Sequence, residues 1–361
     1  MPADRRGERQ AALRALLAEE GLDALLVTHL PNIRYLTGFT GSAALLLIGA
    51  ETATLVTDFR YAVQAPREVE SAAAVEIDQK SVWDRLGRVL AAAAPAALGI
   101  ESQALTVRDA ERVGGLTRAR LIPAVELVER LRAVKAPEEV AAVRTAAALA
   151  QAALQAVLPA VRPGLTELEI AAELEGALRR RGSEWHPFPT IVASGPRAAL
   201  PHARTSTREI AVGEWLLLDF GAQVDGYCAD LTRTVVVGRA DERQRTVYEL
   251  VREAQRRALD HLRPGMTGRE GDALARDVIA ARGFGDAFGH SLGHGLGLEV
   301  HEAPRLAPTA EAALPLNAVV TVEPGIYLPG WGGVRLEDDV HLGPDGAELL
   351  SDARTDLLEL T

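Results

Sequence analysis

Cysteine, basic tracts and long apolar runs are all scarce in this sequence. Its only cysteine is Cys228, so neither an intrachain disulfide nor a cysteine-based zinc cluster can form. The formal net charge is −11, which argues against nucleic-acid binding because phosphate neutralisation needs a basic face. The sequence has no run of about eighteen apolar residues and no apolar signal segment. We therefore expect no membrane association and a cytoplasmic location.

The length of 361 residues suits two domains better than one core. Apolar strands alternate with helices in the first part, which indicates an α/β domain over residues 1–130. The predicted helices are 8–20 and 81–94, and the predicted strands are 23–29, 44–49, 54–58 and 98–101. Pro137 opens a predicted helix over 138–157, because proline suits a first helical turn. We place the second domain at 131–361.

The second domain contains the same order of features twice. Each copy has Arg-Pro-Gly, then a Thr with a Glu three residues later, which is the capping box that opens a helix. A glycine, a histidine, an apolar strand ending in an acid, and a second acid follow in each copy. The two series are Thr166, Gly182, His202, Asp219, Asp230 and Thr267, Gly283, His301, Glu323, Glu337. The repetition predicts two related halves that face each other across one site.

The first pair of acids lies on a predicted hairpin over residues 215–238. Two apolar runs flank Asp225-Gly226, a strong signal for a two-residue turn. With that dipeptide at the turn, Asp219 faces Thr232 and lies diagonal to Asp230 on the same face. Solvated acids are the alternative interpretation. It is weak for Asp219, because this acid ends a run of Trp and three Leu and a buried acid needs a metal or a cationic partner.

A histidine-rich segment covers residues 288–304. It contains His290, His294 and His301 together with four glycines that make a regular helix unfavourable and allow close approach of the backbone. A flexible loop with surface histidines is the alternative. The clustering of three of the eight histidines within twelve residues favours a site.

The last acids lie in the segment 322–342. Glu323 ends an apolar strand, as Asp219 does, and Glu337 follows in a Val-Arg-Leu-Glu alternation. That alternation puts Arg335 on the face of Glu337, where an ordinary salt bridge or a solvated edge strand would also explain the pair. Together the acids and one histidine form a set of hard oxygen ligands plus an imidazole: Asp219, Asp230, His294, Glu323 and Glu337. Such a set suits two divalent ions bridged by carboxylates, with Mn or Co favoured and Zn possible.

These segments resemble the M24 metallopeptidases, the pita-bread family. The matching stretches are LLLDFGAQVDGYCADLTRT, HSLGHGLGLEVHE, TVEPGIY and VRLEDDV, spread over the last two-thirds of the chain. LPNIRYLTGFTGS (30–42) is similar to the creatinase-type N-terminal domain of the proline-directed members, which methionine aminopeptidases lack. IVASGPRAALPH, ending at His202, also resembles that branch, although the family often has Asn near Arg197. The resemblance implies a creatinase-like α/β domain followed by a pita-bread catalytic domain with an internal pseudo-twofold repeat.

The resemblance also implies roles for individual residues. Asp219 and Asp230 would hold one metal, His294 and Glu323 the other, with Asp230 and Glu337 bridging. Glu323 would accept a proton from the bridging water. The remaining expected site residues are His202 and His301 as catalytic histidines facing the substrate, and His290 and Arg335 as substrate-binding groups.

The activity that these residues imply is hydrolysis of the Xaa-Pro peptide bond by a hydroxide bridging two metals, most simply in an Xaa-Pro dipeptidase (prolidase). An Xaa-Pro aminopeptidase acting on longer peptides is the nearest alternative, because the ligands are shared. A creatinase-like hydrolase without metal and a pita-bread module that only binds proteins are more distant, since either would be expected to lack ligands. Small peptides with proline in second position are the expected partners, and a homodimer is the family-level expectation.

Overall fold

The computed structural model describes residues 4–351 and 355–360. The chain divides into two compact units, one ending at Arg132 and the other beginning at Ala133. We call them the N-terminal unit and the C-terminal unit. The domain bounds 1–130 and 131–361 remain a proposal.

The helices of the described residues are α1 (Arg6–Glu19), α2 (Leu30–Thr37), α3 (Gln64–Val69), α4 (Val82–Ala93), α5 (Val107–Leu116), α6 (Leu127–Arg132), α7 (Pro137–Val157), α8 (Glu167–Arg180), α9 (Glu242–His261) and α10 (Gly268–Ala281). The strands of the N-terminal unit are β1 (Ala24–Val27), β2 (Ala44–Gly49), β3 (Ala53–Asp58), β4 (Ala74–Asp78), β5 (Ala97–Glu101) and β6 (Arg120–Ala124). Those of the C-terminal unit are β7 (Ile191–Ser194), β8 (Trp215–Phe220), β9 (Gln223–Val224), β10 (Tyr227–Cys228), β11 (Leu231–Val237), β12 (Gly293–Gly295), β13 (Glu302–Leu306), β14 (Val319–Val322), β15 (Gly325–Leu328), β16 (Gly332–Arg335), β17 (Asp338–Gly343), β18 (Gly346–Leu349) and β19 (Glu359–Leu360).

The N-terminal unit is built on one mixed sheet with the strand order β4-β3-β2-β1-β5-β6. Apart from Glu101 at the end of β5, its central strands β1, β2 and β5 are apolar and buried on both faces, as expected for a sheet covered by helices. The predicted strands and the two predicted helices of this unit are all present. Strands β4 and β6 were not predicted, because their exposed and polar positions give no continuous apolar signal.

The C-terminal unit consists of two layers with the same plan. In the first, α7 and α8 cover the sheet β19-β11-β8-β7, and in the second, α9 and α10 cover the sheet β13-β12-β14-β17-β18. Both predicted capping boxes are formed, with Thr166 and Glu169 opening α8 and Thr267 and Glu270 opening α10. Helix α9 was not among the predicted helices, although its buried residues show helical spacing: Val247, Leu250, Val251 and Ala254.

One helix of this unit has the length and composition of a membrane span. The segment Pro137–Ala160 reaches a mean hydropathy of 1.3 over eighteen residues. In the structure, Ala146, Ala150 and Leu154 of this helix lie in the core with α8 and the first sheet. The apolar face is therefore accounted for by packing within the unit.

Candidate metal centre

The aspartates lie on the two arms of one hairpin, Asp219 within β8 and Asp230 directly before β11. At the tip of the hairpin, between β9 and β10, Asp225 and Gly226 have φ 51° and 79°, the left-handed conformation that a two-residue hairpin needs. Strand pairing places Thr232 opposite Asp219, as predicted, so Asp230 lies on the diagonal of the same face. Both carboxylates are buried, with Asp219 8% and Asp230 5% exposed. The hairpin therefore brings two acids together away from solvent.

The glycines of the histidine-rich segment allow strand β12 to approach its two neighbouring strands, β14 and β13, closely. A Cβ at Gly293 would lie 1.9 Å from the carbonyl oxygen of Thr321, and one at Gly295 would lie 2.2 Å from that of Ala303. Between them, the backbone N–H of His294 donates to the Thr321 hydroxyl at 3.1 Å. The Nδ1 of His294 lies 3.0 Å from the carbonyl oxygen of Gly295. A proton on Nδ1 leaves the lone pair on Nε2 free to bind a metal.

The two glutamates come from the second layer. Glu323 directly follows β14, and its carboxylate accepts a hydrogen bond from Thr321 at 3.1 Å. Glu337 lies between β16 and β17, where the Thr232 hydroxyl donates to its Oε2 at 2.5 Å. Glu337, Asp338 and Asp339 are buried, which excludes the alternative of a solvated edge strand.

The five predicted ligands converge from both layers. Single ligand atoms of Asp230, His294 and Glu337 lie within 4.8 Å of one another. The Nε2 of His294 is 3.4 Å from Glu323 Oε1 and 3.8 Å from Asp230 Oδ2. Asp219 is close enough that its charge contributes to raising the pKa values of Asp230, Glu323 and Glu337.

The electrostatics of this cluster favour a cation. Burial, reinforced by neighbouring carboxylates, holds the pKa values of Asp230 and Glu337 well above their usual range. Burial also raises the pKa of Glu323 to about 8 and lowers that of His294 to about 4. The acids repel one another and the imidazole is neutral, which is the charge state that a metal ligand requires.

Two orphaned oxygens show that the donor set fits a metal. Among the described residues, no hydrogen-bond donor reaches the buried Asp219 Oδ1 or Asp230 Oδ1. Leaving a buried carboxylate oxygen without a partner is costly, and a divalent cation bound by carboxylates and one imidazole removes that cost. The residues present therefore suit divalent metal ions.

The guanidinium of Arg335 pairs with Asp219. Its Nη2 lies 2.5 Å from Asp219 Oδ2, so the ordinary salt bridge with Glu337, one of the alternatives considered above, is not needed to account for this arginine. Its Nη1 donates to the Tyr327 hydroxyl at 2.8 Å, and that hydroxyl lies 2.8 Å from His290 Nε2. Strand β16 ends at Arg335, so simple alternation does not continue to Glu337. Arg335 and Tyr327, which are buried, and His290, which is half-buried, form a hydrogen-bonded chain that ends on Asp219, one of the predicted ligands.

His202 and His301 are exposed beside this cluster. The ring of His301 lies 4.3 Å from that of His294, measured between centroids. Burial and then the charge of His202 lower the pKa of His301. The carbonyl oxygen of Pro201, next to His202, accepts a hydrogen bond from Arg335 at 3.2 Å. Both histidines therefore lie at the solvent side of the acid cluster.

Comparisons with known proteins agree with this geometry. Residues 141–344 match metallopeptidase family M24, and residues 9–134 match the creatinase/prolidase N-terminal domain. The chain belongs to metallopeptidase family M24. Its expected fold, a creatinase-like N-terminal domain followed by a pita-bread domain, is confirmed. Membership of the family also implies divalent metal cofactors.

Similar proteins cover nearly the whole chain. The Xaa-Pro dipeptidase of Pyrococcus furiosus is 35% identical over 97% of this chain and 99% of its own length. The structure of an Xaa-Pro dipeptidase from Bacillus anthracis is 40% identical with a TM-score of 0.96, covering 98% of this chain and 100% of that one. An X-Pro aminopeptidase from Thermotoga maritima is 37% identical with a TM-score of 0.90, covering 97% and 99%.

Several residues of this M24 metallopeptidase contact the predicted site residues but were not themselves predicted to belong to the site. They are Tyr327, which joins Arg335 to His290; Thr321, which joins His294 to Glu323; and Asp339, whose carboxylate accepts the backbone N–H of Asp230 at 3.1 Å. The only sequence feature that could have assigned these residues to the site is their proximity in the chain to the predicted acids. Cys228 lies nearby, and burial raises its pKa to about 12, so its thiol stays protonated.

Proposed function

We propose that this metallopeptidase is an Xaa-Pro dipeptidase that hydrolyses the peptide bond preceding proline. The observation that carries the proposal is the buried set of four carboxylates and one imidazole in which two oxygens have no donor among the described residues. The dipeptidases from Pyrococcus furiosus and Bacillus anthracis, each covered over nearly its full length, support the choice of substrate.

The proposed ligands of two divalent ions are Asp219, Asp230, His294, Glu323 and Glu337. Mn or Co is favoured and Zn is possible, since the set is mostly carboxylate oxygen. When bound, such ions would activate a water molecule and neutralise charge that develops on the substrate carbonyl. The structure supports the ligand set through the convergence of residues from both layers of the unit.

The chain's own groups have separate proposed tasks. Glu323 accepts the proton of the attacking water, and His202 and His301 donate to the reacting carbonyl or move protons. These histidines are exposed and outside the closest ligand cluster, as substrate-facing groups should be. His290 and Arg335 complete the substrate side. The Arg335 contact with Asp219 favours a supporting role for this arginine over capture of a substrate carboxylate.

An Xaa-Pro aminopeptidase is the second candidate function. The similarity to the X-Pro aminopeptidase of Thermotoga maritima, nearly equal to that of the dipeptidase structure, favours it. A length series separates the two, with kcat/KM measured for Xaa-Pro and Xaa-Pro-Yaa of the same Xaa. Preference for the dipeptide supports the dipeptidase, whereas rapid release of Xaa from tripeptides alone would replace it with the aminopeptidase.

Removal and return of metal test the proposed chemistry. We expect chelated protein to lose hydrolysis of Xaa-Pro, and reconstitution with Mn, Co or Zn separately to restore it to different extents. Metal analysis should find up to two divalent ions per chain. Full activity in protein shown to be metal-free would overturn the proposal.

Assembly and location complete the proposal. We propose a cytoplasmic homodimer, on the basis of family resemblance. Sedimentation of the purified protein at several concentrations tests the dimer, and a monomer at all of them would contradict it. Fractionation of the source cells tests the location.

A further inference from the structure

A buried carboxylate outside the metal centre holds both ends of the loop that carries His202. Glu167 is the first residue of α8, and its side chain is fully buried. Its Oε1 accepts hydrogen bonds from the backbone N–H and the hydroxyl of Ser194, both at 2.9 Å. Its Oε2 accepts from the backbone N–H of Ser206 at 3.0 Å and from the Ser206 hydroxyl at 2.6 Å. One side chain therefore joins two points that are twelve residues apart.

A guanidinium from within the loop completes this arrangement. The Nε of Arg197 lies 3.1 Å from both oxygens of Glu167. Arg197 also donates to the carbonyl oxygen of Arg204, across the loop from it. Hydrogen bonds to an ionised carboxylate are stronger than neutral ones, and five donor groups converge on this one. The loop 194–206 is thus closed at its base by Glu167 and crossed by Arg197.

The far side of the loop is placed against the metal centre. A Cβ at Gly333 would lie 2.3 Å from the carbonyl oxygen of Ala198, so β16 packs tightly on the loop. Arg335, at the end of the same strand, donates to the carbonyl oxygen of Pro201. His202 follows directly. In addition to burial, the charge of His202 contributes to lowering the pKa values of His290 and His301.

We propose that Glu167 is a positioning residue for His202, fixing the loop 194–206 so that the imidazole faces the reacting carbonyl. The inference rests on the proposed function, because it presumes that His202 acts on the substrate. The exposed imidazole has few packing constraints of its own, so its position depends on the backbone of the loop. Glutamine at position 167 would keep the shape but turn an amide N–H₂ toward donors, which breaks one end of the closure.

A double-mutant cycle tests this on the metal-loaded protein. Glu167→Gln should lower kcat for Xaa-Pro by about 10- to 100-fold, as loss of an orienting partner does, with metal content retained. In a His202→Ala background the same change should cost no more than about twofold, because the group it positions is gone. Equal losses in both backgrounds would mean that Glu167 acts only on folding, and would overturn the inference.

An NMR measurement tests the same point without any activity. The imidazole signals of metal-free protein are compared between wild type and Glu167→Gln, with His202 assigned from its loss in His202→Ala. We expect the His202 signal to shift or broaden while that of His261, bonded within its own helix, is unchanged. An unmoved His202 signal would overturn the inference. If wild-type protein hydrolyses no Xaa-Pro substrate, the proposed function fails and this measurement still decides the positioning role.

Two further variants serve as control and substitute. Glu169→Gln changes a carboxylate on the same helix that only caps its N-terminus, and should leave kcat unchanged. If Glu167→Gln does not fold, Ser206→Ala removes one hydroxyl donor and keeps the backbone N–H. It should lower kcat by about 3- to 10-fold, again only when His202 is present. A loss that persists without His202 would contradict the proposal.

Discussion

Both units of the chain bury carboxylates, and their surroundings differ in kind. In the N-terminal unit, Glu101 is 3% exposed and accepts hydrogen bonds from the backbone N–H groups of Thr28 and His29 at 2.6 and 2.8 Å. The side chain of Asn32 donates to its other oxygen at 2.7 Å. In the proposed metal centre, Asp219 and Asp230 each keep one buried oxygen that receives no hydrogen bond from the described residues.

The difference separates a structural acid from an acid that we propose binds a cation. Burial, and to a smaller extent the charge of Glu129, raises the pKa of Glu101, but hydrogen bonds from Asn32, Thr28 and His29 oppose that rise. Around Asp230, four neighbouring carboxylates add to the effect of burial. A folded chain tolerates the first arrangement by itself, whereas the second becomes favourable only with positive charge supplied from outside. The following changes test this contrast from the largest expected effect to the smallest.

Asp230→Asn should have the largest effect on activity. It removes a proposed bridging carboxylate, so metal occupancy and hydrolysis should fall together, with activity lost by more than about 100-fold. The metal-free variant should melt at the same temperature as the wild type or higher, because one of several repelling buried charges is gone. Calorimetry and metal analysis measure both.

The hairpin offers a matched control for that change. Asp225→Asn makes the same substitution at the exposed turn, where asparagine accepts the positive φ readily. It should keep both metal and activity. Wild-type turnover in Asp230→Asn would make that residue an ordinary buried acid like Glu101.

His202→Ala and His301→Ala should each lower kcat by about 10²–10⁴-fold while sparing the metals. The reason is that neither imidazole belongs to the closest ligand cluster of the described residues. Metal content and single-turnover hydrolysis are measured on the same preparation. Loss of metal from either variant would mean that the replaced histidine is a metal ligand, and it would then have to be added to the proposed ligand set.

Arg335→Ala should weaken metal affinity by about 10- to 100-fold. Its guanidinium orients Asp219 through one nitrogen and holds Tyr327 through another, a fork that lysine cannot reproduce. Arg335→Lys should therefore weaken metal affinity nearly as much as Arg335→Ala does. At saturating metal, kcat/KM for Xaa-Pro and Xaa-Pro-Yaa should change equally, and a loss confined to dipeptides would instead assign Arg335 to the substrate carboxylate.

Glu101→Gln should have the smallest effect on activity and a measurable effect on stability. One donor loses its acceptor, so the free energy of unfolding should fall by about 1–3 kcal/mol. Metal content and the kcat of folded protein should not change. Glu51→Gln, an exposed acid of the same unit, should alter stability by less than about 0.5 kcal/mol. Loss of metal from Glu101→Gln would show that Glu101 is not a purely structural acid, contrary to the contrast drawn with Asp230.

Much of this arrangement could be predicted from local sequence patterns. The Asp225-Gly226 turn fixes the hairpin register, and the register alone places Asp219 opposite Thr232. The capping boxes at Thr166 and Thr267 fix where two equivalent helices begin. The glycines around His294 made a regular helix unfavourable there, and the segment forms the short strand β12. These features depend on residues within a few positions of one another, which is why the sequence by itself determines them.

The tertiary structure decided which charged groups meet. Arg335 and Glu337 are two residues apart, yet the guanidinium pairs with Asp219, 116 residues away in the chain. Glu167 reaches Ser194 and Ser206 in the same way, and no local pattern marks it as different from its exposed neighbour Glu169. The packing of sheets and helices determines which side chains that are distant in sequence come within hydrogen-bonding distance. Periodicity, which reports only on the nearest turns of the chain, carries no record of that packing.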